Sequence, residues 1–193
     1  MGLMIEDGTG KGYIAKVDED NRLEGASVSH TKISDISEHK GMAFSAYCRE
    51  NTLVAGASEY ISYFVNNGIN NVVVSKAVIS AKITASGTFE IYVDPTYVSG
   101  GDAVIPLNLN RTSSLTSNVV VKHARTTPLV LTVTDANELA CVKFQVGGGN
   151  TYALEFWDAL ILGNGDSLGG YVKGGTIGDE FRLTWLFYEI ETR

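Results

Sequence analysis

The sequence predicts an all-β protein: an antiparallel β-sandwich, jelly-roll-like, preceded by an extended N-terminal arm. Three observations point there. Short runs rich in Val, Ile, Thr, Tyr and Phe are separated by clusters of Gly, Asn, Asp and Ser at the spacing of sandwich strands. Glycine is abundant (21), proline scarce (3), and charged residues make up only 19% of the 193, the composition of a turn-rich packed sheet protein. No segment carries a convincing amphipathic-helix period.

Residues 1–41 read as the arm and 42–193 as the sandwich body. The arm opens on Gly8, Gly10 and Gly12, alternate glycines that leave the backbone too free for a regular element. Two short strands follow, 13–17 and 23–29, joined by the turn-forming Asp18-Glu19-Asp20-Asn21. Its apolar residues are too sparse to close a core, yet each can enter a groove on another surface. Ile14, Val17, Leu23, Val28, Ile33 and Ile36, with Arg22 among them, are the predicted partner-binding residues. Burying one such aliphatic side chain is worth about 1.5–3 kcal/mol, so several together offset the cost of ordering the arm. The Gly8–Gly12 run lacks the spacing of a phosphate loop, and the acidic turn lacks the Gly and distal Glu of an EF-hand.

The body is taken in order. Residues 44–49 alternate into a first strand, and 60–65 form a second, stopped by Asn66-Asn67-Gly68. The β-branched run 72–84 reads as one long or kinked strand, and 88–93 as its hairpin partner across Ser86-Gly87. Residues 94–118, with Pro95, Gly100-Gly101 and Pro106, read as a long surface excursion holding one short edge strand at 103–107. Strands return at 119–123, 129–134, 140–146, 151–157, 159–162 and 167–172, with room for one helical turn at 137–141. The densely apolar 180–189 lies almost at the end of the sequence and is expected at the centre of a sheet or sealing a subunit contact. Phe44, Tyr63, Phe64, Trp157, Trp185 and Phe187 are core or interface candidates.

A net charge of −7 argues against a nucleic-acid surface, which needs clustered Lys and Arg. There is no apolar run long enough to span a bilayer and no charged-then-apolar leader, so the expectation is a soluble, unexported product with no membrane partner. Cys48 and Cys141 read as buried free thiols. His30, His39 and His123 are scattered, without ligands at metal spacing. Cys141 with His123 suggests a nucleophile and base, and Glu155 with Asp158 a glycosidase acid pair, but structural readings of all four are simpler. Tyr92, Tyr97, Tyr152, Trp157 and Tyr171 are candidates for a sugar-stacking platform. No catalytic, cofactor or metal site is assigned.

Gly8-Thr9-Gly10, Ala15-Lys16-Val17-Asp18, Asn21-Arg22-Leu23 and Gly41-Met42-Ala43-Phe44 resemble the leader and body opening of a group of tailed-bacteriophage virion proteins. Ile161-Leu162-Gly163, Asp166-Ser167 and Tyr188-Glu189 are similar to that group as well. The likeness covers both ends of the chain. It implies a virion component, made in the host cytoplasm and found on the particle. Together with an arm on an inert body, it predicts a capsid decoration or cement protein that binds the major capsid protein or other virion subunits, as a homo-oligomer with a trimer first. The alternatives are a tail or head-fibre protein whose 96–114 loop binds a host glycan, and a hydrolase with an unrecognised site.

Overall fold

The computed structural model describes residues 16–17, 23–24, 33, 36–37, 40–50, 58–84, 86–144, 149–174, 176 and 178–190. The chain divides into two compact units, Met1–Thr31 and Lys32–Arg193. In the first, β1 (Lys16–Val17) pairs antiparallel with β2 (Leu23–Glu24), setting Val17 opposite Leu23. Ile14, Arg22 and Val28 lie outside the described residues.

The second unit contains β3 (Ala43–Glu50), β4 (Ser58–Asn66), β5 (Asn71–Lys82), β6 (Gly87–Val93), β7 (Thr96–Gly100), β8 (Asp102–Val104) and β9 (Leu107–Asn108). After these come β10 (Val119–His123), β11 (Leu129–Thr132), β12 (Glu138–Phe144), β13 (Gly149–Leu162), β14 (Ser167–Lys173) and β15 (Glu180–Ile190). The pairing is nested: β3 with β15, β4 with β14, β5 with β13, β6 with β12, all antiparallel. Lateral pairs β5 with β15 and β6 with β14 close the pattern. A long antiparallel hairpin has in effect been rolled into two sheets, which is the winding of a jelly roll. The sheet orders are β13-β5-β15-β3-β9 and β12-β6-β14-β4-β10-β8, with β11 and β7 attached beside β4.

The rolled-up strands form a sandwich because their apolar side chains alternate inward. Phe44, Cys48, Ile79, Leu183, Trp185 and Phe187 of the first sheet share one buried cluster with Ile61, Phe64, Phe89, Leu168 and Phe144 of the second. Phe64 lies 5.0 Å edge-on from Phe187 and 5.7 Å from Trp185. The Trp185 indole N–H donates to Ser62 Oγ across the gap at 2.9 Å, so the buried nitrogen is satisfied. Gly170 makes the approach of the sheets possible: a Cβ there would stand 2.9 Å from Phe89 Cζ and 3.2 Å from Leu183 Cδ2. β15 lies between β5 and β3, the central position that its apolar density predicts.

Four expectations are corrected. The turn at Ser86-Gly87 does not close a hairpin, because β5 and β6 belong to different sheets; the turn arches over the core, with β5 paired to β13 and β15 and β6 to β12 and β14. The excursion 94–118 holds three short strands, β7, β8 and β9. With β10 and β11 it extends the β4 and β3 sides of the two sheets. Residues 135–137 form a short 3-10 turn, whereas 138–144 are strand β12.

The fourth concerns the arm boundary. Ile33, Ile36, Ser37 and Lys40 have helical backbone. Ile36 is buried against Ala43, Val73 and Tyr188 on the outward face of the β13-β5-β15-β3-β9 sheet, with Ile33 packed beside it. Two isoleucines three residues apart share one helical face, and they cover apolar side chains that the strand alternation turns outward. Asn110 Nδ2 holds the Ser37 carbonyl at 3.0 Å, and Asn108 Nδ2 the Gly41 carbonyl at 2.7 Å. Ile33 and Ile36 therefore contact this chain's own body.

Candidate functional site

β13 is an edge strand of its sheet among the described residues, and its pairing with β5 is interrupted. Glu155 faces Lys76 and Leu160 faces Val74, so residues 156–159 bulge out opposite the single Ser75. Within the bulge Trp157 (φ 51°) and Asp158 (φ 58°) both occupy the left-handed region, where a non-glycine residue costs about 1–2 kcal/mol. The flanks hold them there. Phe156 and Leu160 pack against the core, Glu155 Oε1 meets Lys76 Nζ at 2.7 Å, and Asp158 lies at the Tyr188 hydroxyl. Burial, reinforced by that carboxylate, pushes the Tyr188 phenol well above its ordinary range. The result is a tryptophan held outward with 83% of its surface exposed, whereas Trp185 is fully buried. A bulge also bends an edge strand away from indiscriminate pairing with another sheet.

The sequence locates this break, between predicted strands 151–157 and 159–162, but not its geometry. Glu155 and Asp158 are not an acid pair, since each is engaged by a different neighbour.

The five aromatic residues considered for a sugar platform are divided between two places. Tyr92, Tyr97 and Tyr171 join Tyr60 and Tyr63 on the outward face of the other sheet, while Tyr152 and Trp157 belong to β13. On that face the rings mostly serve internal packing. Tyr97 stacks on Tyr63 at 5.3 Å, with Lys122 Nζ 4.4 Å from its centroid, and Ala124, Leu129 and Leu131 pack around them. Gly169 lets this layer settle: a Cβ would meet Pro95 Cγ at 3.0 Å and Leu131 Cδ1 at 3.1 Å. Tyr92 donates to the buried Glu90 carboxylate at 2.7 Å, and burial together with that bond raises the Tyr92 pKa. Nearby, a cleft of about 520 Å³ opens between Thr88, Lys143, Phe144 and Lys173, an apolar floor with two ammonium groups at its rim.

Cys141 and His123 are not a dyad. Cys141 is on β12 and His123 on β10, with β6, β14 and β4 between them. Against expectation Cys141 is exposed, because it faces outward from an edge strand that nothing among the described residues covers. Cys48 is buried, and desolvation pushes its thiol up to about 12. His123 is buried at the join of the sheets, where Nδ1 accepts the Arg49 backbone N–H at 3.1 Å. Burial lowers its pKa, as does Arg125, against an opposing pull from Asp102. Asp102 itself accepts hydrogen bonds from Thr126 and Thr127, which hold its carboxyl well below the ordinary range. Among the described residues no three His, Cys, Asp or Glu side chains are placed to hold a metal ion, and no helix is long and apolar enough to cross a membrane. His30, His39 and the Gly8–Gly12 run lie outside the described residues.

Comparison with protein-family models, with curated proteins and with solved structures returned no match.

Proposed function

We propose that this chain is a virion structural protein of the tailed-phage type, a decoration or cement subunit that binds the shell through its N-terminal unit and works without catalysis. Jelly-roll sandwiches serve as capsid and lectin domains alike, so the fold alone does not choose. The observation that carries the reading is the Trp157 bulge. A tryptophan kept out in water by two left-handed residues is the kind of side chain that anchors a protein–protein contact, and local strain of this type gathers at functional positions. The separate compact unit at Met1–Thr31 supports a second point of attachment, and two weak attachments on one chain multiply in effect. A homo-oligomer, with a trimer as the first expectation, would repeat that gain around a symmetry axis.

The test uses phage shells purified without this protein. The full chain should co-sediment with them, and the emission of Trp157 should shift to the blue and resist iodide quenching, against the constant background of buried Trp185. Deleting residues 1–31 should abolish co-sedimentation. Failure of the full chain to bind, or undiminished binding by the truncated body, refutes the reading. A glycan array showing one preferred sugar, lost in Trp157→Ala, would favour the fibre alternative in its place.

A further inference from the structure

Beyond the end closed by Ile36, the outward face of the β13-β5-β15-β3-β9 sheet carries a row of side chains fixed by strand register. Arg49, Arg182, Ser80 and Thr151 stand side by side across β3, β15, β5 and β13. Two features of this row are unfavourable for the chain alone. Arg49 and Arg182 are direct cross-strand neighbours, which puts like charges at Cβ separations of about 5 Å. The Arg49 Nε–H is buried and has no acceptor among the described residues.

The carboxylates of the same face are already engaged. Glu180 bonds Arg182 at 3.1 Å and Glu155 bonds Lys76 at 2.7 Å, which leaves Arg49 and Lys82 without a carboxylate partner among the described residues. A chain whose net charge is −7 thus gathers an excess of cations on one sheet face. An oxyanion between the two guanidinium groups would remove both faults at once: it neutralises the repulsion and supplies the missing acceptor. Planar guanidinium groups suit a carboxylate in particular, since the fork can donate two parallel bonds.

We propose that Arg49 and Arg182 form a docking site for an acidic segment of a protein partner, one of whose carboxylates enters between them. Charge complementarity selects an anionic occupant. The neighbouring row selects a polypeptide over an acidic polysaccharide, because the Tyr47 ring, Val78 and Ala153 there give apolar contact, with Thr184 and the Tyr47 phenol as its only hydroxyls. An extended strand with acidic and apolar side chains would lay them along these two rows. The site goes beyond the virion reading and stands without it.

The test is made on the full chain at low and at physiological salt. Poly-L-glutamate is titrated by calorimetry, and the Arg49 Nε–Hε resonance is followed by NMR. Arg182→Gln, at a half-exposed position, should weaken binding about tenfold, as loss of one charged fork would. Arg49→Gln should do the same, with unfolding curves checking that each variant folds. Added salt should weaken the wild-type complex. An Arg49 Nε–Hε signal that does not move at saturating poly-L-glutamate overturns the proposal, and so does unchanged affinity in Arg182→Gln. Tighter binding of polygalacturonate than of poly-L-glutamate overturns the choice of a protein partner.

Discussion

Replacing Ser62 with alanine removes one hydroxyl that joins the two sheets. Ser62 Oγ accepts the Trp185 indole N–H at 2.9 Å and lies 3.4 Å from Cys48 Sγ, and all three residues are fully buried. The variant leaves the indole donor in an apolar core without an acceptor, and leaving a buried group unsatisfied costs about 1–3 kcal/mol. Trp185→Phe removes the donor instead and opens space beside Phe64, at a cost of about 1–3 kcal/mol from lost packing. The double variant carries the space but no orphan donor, so its loss should fall short of the sum by about 1 kcal/mol. Urea denaturation followed by far-UV circular dichroism gives each value without relying on tryptophan emission. For a chain of this size Ser62→Ala should lower Tm by about 2–4 °C per kcal/mol lost. Strict additivity, or a Ser62→Ala protein as stable as wild type, would mean that β4 and β15 do not face each other in this register.

Three further outcomes follow from the same packing. One thiol per native chain should react with a disulfide reagent: Cys141 is exposed while Cys48 is buried with its pKa pushed up to about 12, and Cys48 should react only in denaturant. His123 is held neutral in the fold, its pKa lowered from 6.5. The unfolded chain therefore binds the extra proton first, and stability should fall as pH drops below about 6.5. Asn at position 123, whose Oδ1 can still accept the Arg49 N–H, should flatten that fall between pH 7 and 5 in urea unfolding; an unchanged slope would remove His123 from the account. Trp157→Gly should raise stability by up to about 1 kcal/mol, because glycine adopts the left-handed backbone freely. It should also lose shell binding, and a clear drop in stability would contradict the strain described at φ 51°.

The sandwich was legible because its strands are written in period two. The runs 88–91 and 180–185 alternate polar and apolar residues and appear within β6 and β15. What the sequence could not supply is which sheet each strand enters. Ser86-Gly87 has hairpin composition, yet a turn that closes a hairpin and one that arches between sheets need the same permissive residues; only the distant pairings β5 with β13 and β6 with β12 decide between them. The outward Ile36 contact was hidden for a related reason. Its signal is the Ile33/Ile36 spacing, too short to establish a helical period by itself, and it gains meaning once Ala43, Val73 and Tyr188 are known to be exposed without it.

The same contrast separates the two parts of the surface proposed above as contact sites. Trp157 was visible as a large aromatic residue at a strand break, but composition could not say whether it faced the core or water. The answer depends on how many residues β13 passes opposite Ser75, which is a property of register. Arg49 and Arg182 are 133 positions apart in sequence by their numbers, and their juxtaposition exists only because β3 and β15 are the outermost pair of the nested roll. In both places the chain gives up stability that simpler residues would keep: glycine at the bulge, or an uncharged side chain in place of Arg49. Strain at the first and unpaired charge at the second are local losses that the body can bear because its core, from Phe44 to Phe187, is closed on itself. If Trp157→Gly and Arg49→Gln each stabilise the chain, as relief of strain and of like-charge contact requires, then neither Trp157 nor Arg49 is there for folding, which is what the two proposed contacts expect.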